Sequence, residues 1–234
     1  MDEFRAAPWT ALALILSLDS DLVAIVGLSL AVSLSAVALA SVMGLPIGAA
    51  VAVWRFPGRT ALVALLNALM GLPPVVVGLV LYLLLSRTGP LGELGLLFTP
   101  TAMVLAQCGL VTPIIAALTQ QTVADLHAEY DEQLRSLGVG PARAIWTLLW
   151  DGRRSLVTGV LAGFGRAIAE VGAVIIVGGN IKHVTRVMTT TIALETSKGN
   201  LALALALGMI LILLVLAVNI AALMLRNTTK HAMG

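Results

Sequence analysis

Arg166 and Glu170 stand four residues apart inside an apolar run from Ser155 to Gly179. An ionisable side chain within a membrane helix is costly and usually faces a bundle interior or a water-filled path. At helical spacing the two share one face and can pair. Two roles fit the pair: a neutralised brace within a bundle, or a charged pair beside a water-filled route. A second feature is the hydroxyl run Thr189-Thr190-Thr191, preceded by Lys182, His183 and Arg186. Hydroxyls both donate and accept hydrogen bonds without adding charge. A third is Pro73-Pro74, which removes two consecutive backbone donors and frees carbonyls that need other partners. The outcome is either a kink that shapes packing or a broken helix lining a path or gate. Asn67 shares that segment as a weaker candidate, and Pro46 and Pro113 read as simple kinks. The single cysteine, Cys108, permits no intrachain disulfide, and His127, His183 and His231 are scattered. No metal framework follows from them.

The elements holding these residues must be apolar. The chain is 59% hydrophobic and only 11% charged, with a mean hydropathy of +1.01. Soluble domains carry roughly 25% charged residues, so a soluble enzyme is excluded. A net charge of +2 gives no electrostatic case for nucleic acid. About 20 apolar residues cross the hydrocarbon of a bilayer. Five runs meet that length: Leu22–Val53, Thr60–Ser86, Thr101–Ala124, Ser155–Gly179 and Leu201–Leu225. They are too long for strands and lack period-two alternation. The reading is an all-α integral membrane protein with five transmembrane helices.

Loop charge sets orientation, since cytoplasmic loops carry the excess of Lys and Arg. Arg55, Arg59, Arg135, Arg143, Arg153, Arg154, Arg226 and Lys230 fall on one side, and Arg5, Arg87, Lys182, Arg186 and Lys198 on the other. The first set is the cytoplasmic one, which puts the N-terminus outside and the C-terminus inside. Asp2 and Glu3 stand where a secretory signal needs basic residues. Residues 1–20 therefore read as an N-terminal arm or interfacial helix, 21–226 as the membrane domain and 227–234 as a cytoplasmic tail. An outer loop spans 180–200, with a short helix expected at the outer mouth.

The largest cytoplasmic loop, 125–154, collects charge. Eight of the chain's 14 Lys and Arg and 12 Asp and Glu lie between Glu129 and Arg154. Leu126, Tyr130, Leu134 and Leu137 recur at helical spacing, with Asp125, Glu129, Asp131, Glu132 and Arg135 on the other faces. Gly138 sits where a helix ends in a left-handed residue. Pro141 then occupies a first helical position, and Ala144, Ile145, Leu148 and Leu149 form the next apolar stripe. The spacing predicts a projecting helical hairpin, either a solvated connector or a docking element for the groove of a cytoplasmic partner.

The triplet Glu132-Gln133-Leu134 followed by Gly138 resembles the "EAA" loop in the membrane subunits of ATP-binding-cassette importers. Gln133, Leu134 and Trp150 depart from that family's pattern. "GRAIAEVGAVIIVGGN" (165–180) and "GLPPVVVGL" (71–79) resemble the molybdate, tungstate and sulfate branch, and "HVTRVMTTTIALETSKGNLALALALG" (183–208) is most similar to tungstate-importer permeases. The resemblance implies a type I importer permease whose second copy completes the pore. It implies a cytoplasmic ATPase dimer, which carries the ATP and magnesium, and an external anion-binding protein. The chain has no GxxxxGK[ST] loop, so it is not expected to be an enzyme, and no cofactor or metal is expected on it.

On that resemblance Asp131, Glu132, Arg135, Leu137, Gly138 and Val139 are the expected ATPase contact. Pro73, Pro74, Arg166, Glu170, Thr189, Thr190 and Thr191 are the expected path or gate, and Lys182 and Arg186 the expected receptor contact. The expected cargo is tungstate, with molybdate and sulfate as alternatives. A stand-alone secondary transporter is the competing class, but its internal repeat is not visible in five spans. A membrane scaffold without transport would not need the internal charges.

Overall fold

After Asp21 no charged residue appears until Arg55, and the backbone is one helix over that stretch, α1 (Ser20–Val53). The computed structural model describes residues 20–231, together with Trp9, Leu12, Ala13 and Leu16. Most of the expected N-terminal arm, and the last three residues of the tail, lie outside the described residues. Following α1 come α2 (Arg59–Leu69), α3 (Pro74–Leu85), a 3-10 turn at Gly92–Leu94, α4 (Pro100–Ser136), α5 (Pro141–Asp151), α6 (Arg153–Ile168), α7 (Gly172–Gly178), α8 (Met188–Ser197) and α9 (Leu201–His231). Every regular element among the described residues is helical, as the composition predicts.

Among the described residues three helices are long and apolar enough to cross a bilayer alone: α1, α4 and the 201–221 part of α9. The count rises to five if α2 with α3, and α6 with α7, each make one interrupted span. The five expected spans are therefore present as runs, but two of them are broken. Pro46 and Pro113 lie inside continuous helices, as simple kinks would. α4 contains 37 residues, or roughly 55 Å at 1.5 Å per residue. That exceeds the hydrocarbon thickness of about 30 Å, so its C-terminal turns extend into water.

The chain divides into two compact units. One takes Ser35–Pro73 and Gln107–Ala167. Its core joins Ala49, Ala52, Val53 and Val123 to Ala144, Ile145 and Leu148 of α5. A side chain at Gly48 would run into the Ala116 carbonyl oxygen, so α1 and α4 approach there at backbone distance. Small residues allow such packing in lipid, where apolar surface alone gives no drive for helices to associate. Arg59 closes the end of α1, donating from Nε to the Val51 carbonyl at 2.7 Å and from Nη2 to that of Ala52 at 3.0 Å. The other unit takes Met1–Leu34, Pro74–Ala106 and Ile168–Gly234. There α3 packs on α7 and α8 on α9, with Leu22, Met188, Ala206, Leu207 and Ile210 forming one core cluster.

Candidate functional site

Two constellations carry polar groups that the fold holds in place. The first is the hairpin of α4 and α5. The Gly138 N–H donates to the Arg135 carbonyl at 3.0 Å and the Val139 N–H to that of Leu134 at 2.9 Å. These are the two bonds of a Schellman motif, and they satisfy carbonyls that a helix end leaves open. Gly138 has φ of 66°, the left-handed geometry its position predicts. Leu134 and Val139, which flank the turn, both pack on the α5 cluster, so the tip is fixed from beneath. Arg135 grips Asp131 with two bonds, Nε to Oδ1 at 3.0 Å and Nη2 to Oδ2 at 2.9 Å. Glu132 and Arg135 are exposed and Leu137 is 77% exposed. The hairpin thus brings all six expected contact residues to one tip.

Sequence reasoning passed over the outer face of α5. Ala144, Ile145 and Leu148 are buried, which turns Trp146 and Trp150 outward, each 71% exposed. The Arg153 guanidinium lies 4.6 Å from the Trp150 ring centroid and donates to the Trp150 carbonyl at 2.6 Å. Beside them lies a cleft of ≈ 290 Å³ lined by Tyr130, Leu134, Leu137, Leu148 and Trp150 among others. The signal was available: two tryptophans four apart, opposite the apolar stripe. Tryptophan and arginine are the residues that most often anchor interfaces.

The second constellation surrounds the broken helices. α2 ends at Leu69, and Met70, Gly71 and Leu72 each donate three residues back, to Asn67, Ala68 and Leu69, at 3.1 to 3.3 Å. Leu72 thereby gives the Leu69 carbonyl the donor that Pro73 withholds. Proline disfavours the helical conformation in the residue before it, so Pro73 cannot continue the helix, and Pro74 opens α3 where a missing N–H costs nothing. Asn67 donates to its own helix, to the Val63 carbonyl at 2.9 Å.

The expectation that Arg166 and Glu170 share one helix face is corrected. α6 stops at Ile168 and α7 starts at Gly172, so Arg166 lies in the last turn of α6 and Glu170 in the break. Glu170 is only 3% exposed. Its Oε1 accepts the Ala173 N–H at 3.0 Å, and its carbonyl accepts the Thr189 hydroxyl at 2.8 Å. In the other unit, Gln107 Nε2 donates to the Ala167 carbonyl at 3.0 Å, beside Arg166. Gln107, an amide in the apolar run Thr101–Ala124, is a buried polar residue that the sequence reading missed.

The threonine run opens α8, and its hydroxyls face the protein. Thr191 donates to the Val187 carbonyl at 2.7 Å. Thr190 accepts the Val187 N–H at 3.2 Å and donates to Asn180 Oδ1 at 2.9 Å. All three are buried. Ser29 of α1 joins this region by accepting the Met188 N–H at 2.9 Å. Lys182 Nζ meets Asp21 Oδ2 at 2.8 Å and His183 Nδ1 meets Asp21 Oδ1 at 3.8 Å. Further along, the Lys198 ammonium bonded to Glu195 holds that carboxyl below the usual glutamate range.

Known proteins extend this picture. The family model described as binding-protein-dependent transport system inner membrane component matches residues 44–231. A probable anion ABC transporter permease of Haloferax volcanii is 42% identical over 89% of this chain and 92% of its own length. A tungstate uptake system permease of Peptoclostridium acidaminophilum is 40% identical over 95% of this chain and 96% of its own. A sulfate transport system permease of Escherichia coli is 33% identical over 59% of this chain and 53% of its own.

Proposed function

We propose that this chain, which belongs to the family of binding-protein-dependent transport system inner membrane components, is the permease of an ATP-driven importer that carries tungstate or a related oxyanion into the cytoplasm. The observation that carries this reading is the near-full-length likeness to one permease named for tungstate uptake and another named for anions. Two copies of the chain form the pore, with the N-terminus outside and the C-terminus in the cytoplasm.

The hairpin is the coupling element. A separate ATPase subunit, which binds ATP and magnesium, receives Leu137, Trp146 and Trp150 as apolar anchors. The Arg135–Asp131 pair and Glu132 set the register around them, while Gly138 and Val139 keep the tip rigid. A closed Schellman turn on a packed base supports this role, because a lever must not yield at its tip. The two interrupted spans supply the path or gate. Pro73 and Pro74 fix one break and Glu170 the other, with Arg166 beside the second. Thr189, Thr190 and Thr191 serve the path from behind, by bracing the second break and the outer loop. Lys182 and Arg186 stand on that loop, where an external anion-binding protein docks.

The test is uptake into proteoliposomes that hold the chain, its ATPase and the matching binding protein, with labelled tungstate, molybdate and sulfate in separate arms. ATP-dependent tungstate uptake is the expected result. A preference for molybdate or sulfate would move the cargo within the oxyanion class. Uptake by the chain alone, driven by an ion gradient, would replace the reading with a secondary transporter.

A further inference from the structure

In the outer loop Lys198 is matched by Glu195, whereas Lys182, His183 and Arg186 gather around the carboxylate of Asp21. Lys182 and His183 lie on the two oxygens of the Asp21 carboxylate, at 2.8 and 3.8 Å. Arg186 lines the same cavity, which measures ≈ 150 Å³. Its Nη2 reaches the Asn180 carbonyl at a long 3.4 Å, and its Nε is buried with no hydrogen-bond partner among the described residues. A guanidinium presents several donors in a fixed fork suited to carboxylates and tetrahedral oxyanions. Here part of that fork is withdrawn from water and unmet by the described protein groups, beside the cavity.

We propose that Lys182, His183 and Arg186 form an oxyanion subsite at the outer mouth, and that the Asp21 carboxylate is its built-in competitor. The subsite takes a small tetrahedral dianion such as tungstate or sulfate. The size fits: at about 30 Å³ per water, the cavity has the volume of roughly five waters, enough for a four-oxygen anion and too little for a drug-sized ligand. Ile25, Leu28 and Val184 line one side of it, while Lys182, His183 and Asp21 stay about half exposed and open to an arriving ion. Thr191 also lines the cavity, but its hydroxyl proton goes to the Val187 carbonyl. Recognition is therefore by charge. His183 carries φ of 63°, a conformation uncommon outside glycine, and the fold maintains it with the ring turned to Asp21.

Asp21 occupies the basic groups as a carboxylate stand-in for the anion. An arriving dianion brings twice its charge and displaces it, and Asp21 returns when the anion moves on. Such a site binds weakly and releases readily, as a relay requires. The proposal rests on the importer reading for the class of anion and for the side of the membrane.

The test is calorimetric titration of sodium tungstate and sodium sulfate into the full chain in phosphatidylcholine nanodiscs, at fixed ionic strength with chloride as control. Removing one carboxylate beside a dianion should tighten binding by roughly tenfold or more, so Asp21→Asn should bind tungstate at least that much more tightly than wild type. Adding Arg186→Gln to Asp21→Asn should abolish the gain. Asp21→Ser is the second variant if Asp21→Asn does not fold. Equal affinity in wild type and both Asp21 variants, or no tungstate binding at millimolar concentration, would overturn the proposal. So would a response only to phosphatidylglycerol added to the discs, since the cluster would then hold a lipid headgroup. The complete transporter is assayed for uptake in parallel. A failed subsite with intact ATP-driven uptake leaves the importer reading standing, and anion binding without ATP-driven uptake removes the importer reading alone.

Discussion

Thr190 has no exposed surface, and its hydroxyl joins the Val187 N–H to Asn180 Oδ1. Three consecutive threonines were legible as a hydroxyl cluster. The direction they face was not, because it depends on α8 beginning at Met188. Val187, at the N-cap, offers no capping side chain that would mark that start. Once the helix begins there, each hydroxyl finds a backbone or amide acceptor nearby. Glu170 was legible as an intramembrane charge in the same incomplete way. Its use as a cap for the Ala173 N–H appears only when the helix breaks. Removing the Thr190 hydroxyl while keeping the side chain's shape leaves the buried Val187 N–H and the half-buried Asn180 amide oxygen with one partner fewer. Thr190→Val should therefore cost about 1–3 kcal/mol. It should lower the melting midpoint in detergent and leave the KM for anion uptake unchanged in the protein that remains folded. An unchanged midpoint with a raised KM would instead make Thr190 a contact of the passing anion.

The elements divide by how local their causes are. The hairpin was readable because its signals are short-range: a glycine at the αL position, a proline three residues on, and apolar stripes on both sides. The break at Pro73-Pro74 was readable as a kink or a break, and the second proline at a first helical position decides for the break. The interruption between Ile168 and Gly172 was not readable, since it contains no proline. Its bonds come partly from Thr189, 19 residues away. The hairpin permits a discriminating pair of substitutions at Gly138. A left-handed backbone costs an ordinary L-residue roughly 1–2 kcal/mol, whereas asparagine tolerates it comparatively well. Gly138→Val should leave the membrane helices folded but reduce transport-coupled ATPase activity in the reconstituted complex, and Gly138→Asn should retain most of it. Equal coupling in the two variants would show that the tip need not be rigid. Equal loss would show that the bare surface of glycine matters more than its geometry.

At the scale of the whole molecule, the apolar surface and the loop charges say where lipid and water must be. On α9, Ile212 is 67% exposed and Leu213 56%. The most apolar stretch of that helix is only 22% buried within the protein, against 67% for that of α4. Such a face would aggregate in water, so it belongs in the hydrocarbon. α4, buried on most sides, carries the chain from the bilayer into the hairpin. The proposed orientation rests on the arginines around the hairpin, set against Lys182, Arg186 and Lys198 on the other loop. The sole cysteine, Cys108, is buried, which makes the orientation accessible to labelling. In a Cys108→Ala background, Lys182→Cys should react with a membrane-impermeant maleimide in intact cells. Arg143→Cys, on the exposed side of α5, should react only after the membrane is opened. The reverse pattern would place the hairpin outside, beyond the reach of any cytoplasmic ATPase, and the coupling assignment would fall together with the outer-mouth position of Lys182 and Arg186.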